Sequence, residues 1–528
     1  VIKAVRRFVE VEGRRVHYRQ MGNGPPAVFL HASPANSEMV LPEMAVAAPH
    51  FTCFAFDTPG FGDSDPLPGT ALEVSDLARA TGAAMAAIGL PPCPVFGTHT
   101  GSAIAIELGM GWPERVTGLV LDAIPLFTEE EMARIFQDFF VAFEADPLGG
   151  HFTQVWIRFR DQFTWFPWKS RDVTRLNAVD RPTPEEIQHW VMMYYHARKT
   201  YIPAYRAACY YGSKGIRAAQ ALTVPAVYMA TEEDMLFGHL DRLPPLKKNQ
   251  RIVRLAPDTA AKHQAILGFL RDLPTSQAKT VAPAKAFAGY DPAVQFIDTG
   301  DGQIFVRCYG DASKRAVLLL HDAPGTGLAL ADMARELSEK MYVILPDLPG
   351  TGDSNAPGDD KSVLDAAASA LSIIADTLGL KQFSVAGVGV GATLAAVFAG
   401  KNDSRLTALL LEDVPVKDEA AAGKIAPDMP LTPEGSHWIQ AWLMLRDAQI
   451  YKPWFDGRIA AQRHTQGNFD AEWLHAQTFA LMKSRATYHR LPREALRFDT
   501  KAALAAAKVP VHIAEERALS QLILSTTL

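Results

Sequence analysis

Cysteine is scarce in this chain of 528 residues. The four present, Cys53, Cys93, Cys209 and Cys308, lie far apart with no C-x-x-C pair, which argues against both a disulfide framework and a zinc knuckle. Excess positive charge is missing too. Lys plus Arg is 52 against 58 Asp plus Glu, for a net charge of −6, and no basic stripe is present, so a nucleic-acid partner is not expected. The N-terminus shows no apolar signal core, and a reducing cytoplasm is the expected compartment. A membrane partner is not expected either: residues 383–400 run without a charge but carry Gly387, Gly389, Gly391 and Gly400, which predicts a buried strand, a turn and a helix. What the chain has in quantity is core material. With 48% hydrophobic and 21% charged residues it reads as globular, and its length suggests two to four domains.

Self-similarity organises the sequence. His31 and Pro34 recur as His321 and Pro324, and the run from Asp57 to Ser64 recurs from Asp347 to Ser354, all at an offset of 290. Gly97, Gly101 and Pro125 match Gly387, Gly391 and Pro415 at the same offset. Farther on, His151, Trp156, Arg160 and Asp161 match His437, Trp442, Arg446 and Asp447 at 286. The chain therefore reads as a tandem duplication: domain 1 over 1–271, a Pro- and Ala-rich linker over 272–292, and domain 2 over 293–528. Duplication suggests that the copies pack as an intramolecular pseudo-dimer; further oligomerisation is left open.

Within each copy, short β-branched runs alternate with helical spacing. This predicts an α/β fold, a mostly parallel sheet flanked by helices, with reactive groups at the carboxyl ends of the strands. Residues 94–108 predict a strand, a tight turn between Gly97 and Gly101, and a helix, with His99 projected at the turn. This arrangement, together with His31-Ala-Ser-Pro34, the Asp57 to Ser64 segment and a late acid and histidine, resembles the α/β-hydrolase superfamily, whose elbow holds a nucleophile. Here the elbow residue is His99, and in the second copy it is Gly389. Copy two, which also lacks the late acid and histidine, reads as a degenerate, C-terminally incomplete pseudoenzyme domain.

The resemblance implies Asp234, after the strand ending near Met229, as the acid, with Glu232, Glu233 and Asp258 as rivals. It implies His263 as a general base oriented by Asp234, and an oxyanion hole from the backbone N–H groups of Ser33 and Thr100. His99 is then an acid, a hydrogen-bond donor to a developing oxyanion, or a labile nucleophile. His31, His99, His263 and Asp234 could converge on a metal, but the first histidine of the H-x-x-P segment occurs in this superfamily without one, and neither metal nor cofactor is expected.

By resemblance, residues 126–217 form a helical cap, with a second over 416–503. Its aromatic density suits a small apolar or aromatic substrate, with His31, Trp156 and Trp165 as candidate contacts. Arg158, Arg160, Lys169 and Arg171 are candidates for a substrate carboxylate, although the recurrence of Arg160 and Asp161 argues for a structural ion pair. The leading functional expectation is hydrolysis of an ester, lactone, amide or activated carbon–carbon bond. The alternatives are a cofactor-free lyase, isomerase or oxygenase using a His–Asp pair, and a non-catalytic ligand-binding protein.

Overall fold

The computed structural model describes residues 3–136, 139–177, 180–275 and 290–526. Most of the expected linker, 276–289, lies outside the described residues. Two compact units emerge, Val1–Phe143 with Val155–Lys285, and Glu144–Gln154 with Ala286–Leu528. The short stretch 144–154 thus groups with the second unit, whereas the sequence expectation placed it in domain 1.

The first unit holds an eight-stranded sheet in the order β1-β2-β4-β3-β5-β6-β7-β8. The strands are β1 (Val5–Val11), β2 (Arg14–Met21), β3 (Pro26–Leu30), β4 (Thr52–Phe56), β5 (Cys93–Thr98), β6 (Val116–Asp122), β7 (Ala226–Thr231) and β8 (Gln250–Leu255). β1 and β2 are antiparallel and β3 to β8 run parallel. The parallel strands are unbroken apolar runs because helices cover both faces: every residue of β3 and β4 is buried. Those helices are α1 (Leu41–Ala47), α2 (Val74–Ala87), α3 (Thr100–Gly111) and, after the insertion that follows β6, α9 (Thr259–Asp272). The insertion contributes α4 (Glu129–Phe136), α5 (Gly150–Thr164), α6 (Pro184–Ala197), α7 (Ile202–Cys209) and α8 (Gly212–Ala221). Helix α6 starts where its sequence says it should. Thr183 and Glu186 exchange hydrogen bonds across the first turn, with Pro184 pre-set at the first helical position.

The second unit holds a seven-stranded sheet in the order β15-β14-β13-β11-β12-β10-β9. Its strands are β9 (Ala293–Thr299), β10 (Gly302–Tyr309), β11 (Ala316–Leu320), β12 (Tyr342–Pro346), β13 (Phe383–Val388), β14 (Leu406–Glu412) and β15 (Val511–Ile513). The charge-free stretch 383–400 is β13, a turn at Gly389 and helix Val390–Ala399. No helix among the described residues is long and apolar enough to cross a membrane.

The recurring Asp57 to Ser64 motif is a piece of architecture. Asp57, buried, accepts from the Ser37 and Asp63 N–H groups at 2.8 and 2.9 Å and pairs with His17 Nδ1 at 2.8 Å. Burial opposes the Asp57 charge, but His17, Arg19 and His31 outweigh it and hold the carboxyl well below its ordinary range. A Cβ on Gly62 would lie 1.9 Å from Asp57 Oδ2, which explains the glycine. The same knot recurs in the second unit, where Asp347 takes the Gly327 and Asp353 N–H groups and Arg307 stands where His17 stands in the first.

Candidate active site

The site of the first unit is built on the turn from β5 to α3. His99 sits there with φ 49° and ψ −113°, a conformation few side-chain-bearing residues adopt. Its neighbours make the turn tight: a Cβ on Gly97 would come 2.3 Å from the Gly101 carbonyl oxygen, and one on Gly101 would come 2.2 Å from that of Leu30. The His99 N–H is anchored on the Asp122 carbonyl at 2.9 Å, and Ser102 Oγ donates to the His99 carbonyl at 2.6 Å. Position 389 of the second unit has nearly the same geometry, φ 55° and ψ −120°, and there glycine removes the strain.

His99 Nε2 lies 2.9 Å from Asp234 Oδ2, and the Leu236 N–H holds the other carboxylate oxygen at 2.8 Å. Glu232 and Glu233 are exposed, whereas Asp234 turns inward. Asp258 is spent on the Ala261 N–H as the cap of α9. Burial works against the His99 charge, yet Asp234 and then Asp122 outweigh it, and the imidazole pKa is raised despite Lys262. Burial likewise opposes ionisation of Asp234, but His99 and the Leu236 N–H bring it down to about 2.

Beneath this dyad lies a second pair that sequence reasoning missed. Lys262 Nζ is 2.7 Å from Asp122 Oδ2, which also accepts from Thr98 Oγ1 at 3.0 Å. Burial and Asp234 raise the Asp122 pKa against Lys262, and Asp122 in turn raises that of Lys262 against burial. The available signal was position: Asp122 ends β6 beside Thr98, the last residue of the elbow strand, and Glu412 stands 290 residues on.

Several expected roles change. Asp234 and His263 are not paired; His263 Nε2 faces Glu43 Oε1 of α1 at 3.5 Å, and the partner of Asp234 is His99. The reason is helical geometry. α9 begins at Thr259, so adjacent residues 262 and 263 point about 100° apart. Lys262 reaches the site and His263 reaches α1. His31 is no substrate contact, since it is fully buried, its Nδ1 donates to the Ala32 carbonyl at 2.8 Å and its Nε2 accepts from the Thr58 N–H at 2.9 Å. Burial lowers its pKa. Trp156 is 1% exposed inside the insertion, and the half-buried Trp165 packs under Arg171. Asp161 pairs with Arg171 at 3.0 Å, with Arg160 a second positive neighbour, and Arg158 is buried over the Phe159 ring.

A small cavity of about 50 Å³ opens on the turn. Ser33, His99 and Thr100 form its floor, and Phe127, Phe166, Tyr205 and Cys209 of the insertion contribute to its walls. Other rings of the insertion pack on one another, as in the Phe159–Tyr194 and Tyr194–Tyr201 edge contacts. Burial pushes the Cys209 thiol well above its ordinary range, so it supplies no thiolate.

In the second unit the equivalent place is filled from within. Asp322 Oδ1 accepts from the Ala323 N–H at 2.8 Å and the Val390 N–H at 2.9 Å. A Cβ on Gly389 would lie 2.1 Å from that oxygen. Gly389→Ala is therefore expected to cost about 1–3 kcal/mol in urea unfolding, from strain and displacement of Asp322. The loss should shrink when Asp322→Ala is added, and equal losses with and without Asp322 would refute the contact.

The family model for the alpha/beta hydrolase fold matches residues 25–260 and 315–477. This chain belongs to the alpha/beta hydrolase fold family. Among curated proteins, haloalkane dehalogenase 2 of Mycobacterium tuberculosis (strain ATCC 25618 / H37Rv) and that of Mycobacterium bovis are each 29% identical over 115 residues, 22% of this chain. The match spans 40% of the length of those relatives. Among solved structures, epoxide hydrolase A from Mycobacterium thermoresistibile is 18% identical, with a TM-score of 0.39, over 52% of this chain and all of that one. Potato (Solanum tuberosum) epoxide hydrolase I is 18% identical, with a TM-score of 0.40, over 51% of this chain and all of that one.

Proposed function

We propose that the first unit is a hydrolase of small esters, lactones or amides in which His99 is the general base and Asp234 orients it. We further propose that the chain arose by tandem duplication, that the insertion after β6 serves as a cap, and that the second unit is non-catalytic. The observation that carries this reading is the 2.9 Å bond from His99 Nε2 to Asp234 at a strained turn opening on a cavity. That bond fixes the tautomer of the neutral ring: Nε2–H donates to the carboxylate, and Nδ1 keeps its lone pair for a ligand in the cavity.

The chemistry follows without a covalent intermediate. A substrate carbonyl oxygen rests on the Ser33 and Thr100 N–H groups while water attacks the carbonyl carbon and gives a proton to His99 Nδ1. The two N–H groups stabilise the oxyanion as it forms. Collapse of the tetrahedral intermediate breaks the bond to the alkoxy or amino group, which leaves with the proton from the imidazolium. Asp234 stays ionised throughout and balances the charge on the ring.

The pH dependence tests this. The base must be neutral, and the His99 pKa is raised above its ordinary 6.5, so kcat/KM on p-nitrophenyl acetate should fall as pH drops through a limb lying above 6.5. Asp234→Asn removes the charge that holds the pKa up and should move that limb downward, along with a loss of rate. A limb unmoved by Asp234→Asn contradicts the assignment. Ligand binding without turnover would instead favour the non-catalytic reading, for which the glycine at position 389 is the precedent within the chain.

A further inference from the structure

A lysine stands beneath the His99–Asp234 pair where the fold alone does not call for one. Asp122 ends β6, and its carbonyl takes the His99 N–H at 2.9 Å. One oxygen of its carboxylate takes both Lys262 Nζ at 2.7 Å and Thr98 Oγ1 at 3.0 Å. The other, Oδ1, is buried with no hydrogen-bond partner among the described residues, on a side chain whose residue is 1% exposed. A carboxylate left half-satisfied in the interior costs stability, so packing does not account for it.

The second unit meets the same need without a cation. Glu412 takes the position there, and its carbonyl holds the Gly389 N–H at 3.0 Å. Its two carboxylate oxygens accept from the Arg517 and Leu519 N–H groups at 2.8 and 2.9 Å. The cation thus accompanies the imidazole: the unit with His99 sets Lys262 on this carboxylate, and the unit with glycine at the turn uses backbone. Lys262 is also close enough to Asp234 for each to shift the titration of the other. An ammonium bonded to Asp234 would compete for the oxygen that fixes the His99 ring. The other titratable groups around the pair are engaged elsewhere. Glu43 of α1 faces His263 at 3.5 Å, and His239, whose pKa burial lowers to about 4, accepts from the Leu126 N–H at 2.9 Å.

We infer that Asp122 is a positioning residue for His99: by binding Lys262 it keeps the ammonium off Asp234 and leaves that carboxylate to the imidazole. This rests on the reading of His99 and Asp234 as the working dyad. Asp122 acts through Lys262 and Asp234, and neither it nor Lys262 lines the cavity.

The test is NMR titration of the His99 ring in the full chain, with the pH dependence of kcat/KM on p-nitrophenyl acetate beside it. Burial opposes the charge on His99, Asp234 and Asp122 favour it, and Lys262 opposes it. Asp122→Asn removes one negative neighbour and frees Lys262 for Asp234. The ring should then titrate about 1 pH unit lower, and the plateau of kcat/KM should fall by roughly 10- to 100-fold. Asp122→Asn/Lys262→Met removes the competitor as well and should return both toward wild type. A carboxylate that only braces the strand end would leave the titration in place, and the second substitution would deepen the damage. An unmoved titration in Asp122→Asn, or no recovery in the double variant, overturns the inference. If Asp122→Asn does not fold, Asp122→Gln, whose length the second unit accepts as Glu412, takes its place under the same criteria. If neither folds, the role is structural and the inference falls. The two readings fail separately: a ring that answers to Asp234→Asn and ignores Asp122→Asn removes this role and leaves the dyad standing, whereas a ring that ignores both removes the dyad.

Discussion

His99→Ala is expected to lower kcat/KM on short p-nitrophenyl esters by about 10²–10⁴-fold, the usual contribution of a positioned general base. The fold should survive, because glycine occupies the same turn in the second unit with nearly the same dihedral angles. The substitution removes the only ring bonded to Asp234 among the described residues and leaves the Ser33 and Thr100 N–H groups in place. Residual activity should therefore come from the hole and from binding, with KM changing less than kcat. His263→Ala is the contrasting variant. Its ring faces Glu43 rather than Asp234, so its loss should leave turnover within a few-fold of wild type. The reverse pattern, activity lost with His263 and kept without His99, would restore the arrangement that the sequence order implied.

Asp57→Ala is expected to cost about 3–5 kcal/mol, read as a lowered urea midpoint for the first unit's transition. Asp57 is 2% exposed, and its two oxygens serve the Ser37 and Asp63 N–H groups and the ring of His17. Alanine strands all three partners in the interior, with His17 unexposed beside the void. Asp57→Asn keeps an acceptor in place and should cost less. The corresponding Asp347→Ala should weaken the second unit in the same way, because the Arg307 guanidinium and the Gly327 and Asp353 N–H groups lose this acceptor. An unchanged midpoint in Asp57→Ala would mean that the recurring motif is not what holds this loop.

Much of the architecture was legible because it depends on local pattern. Unbroken apolar runs between helical stretches gave the parallel sheet, and the Gly97 and Gly101 spacing gave the turn, since both positions allow no Cβ. The site was legible only in part. His99, Asp234, Ser33 and Thr100 were each singled out, and the structure brings His99 and Asp234 together and sets Ser33 and Thr100 beside His99 in the cavity. Sequence order could not say that an elbow histidine reaches the acid itself, nor that α9 begins early enough to carry residue 263 round to α1. Trp156 was misjudged for a similar reason, since aromatic density does not distinguish a cavity wall from the insertion's own core. Asp122 and Lys262 escaped notice because their meeting joins a strand end to a helix 140 residues later.

The pairing of His99 with Asp234 is the claim on which the rest depends, and NMR titration of the His99 ring in the full chain measures it directly. Wild type should show an imidazole that titrates above 6.5, and Asp234→Asn should bring that value down while His263→Ala leaves it in place. A His99 ring that titrates at or below 6.5 and ignores Asp234→Asn, or one that responds to His263→Ala instead, would contradict the account.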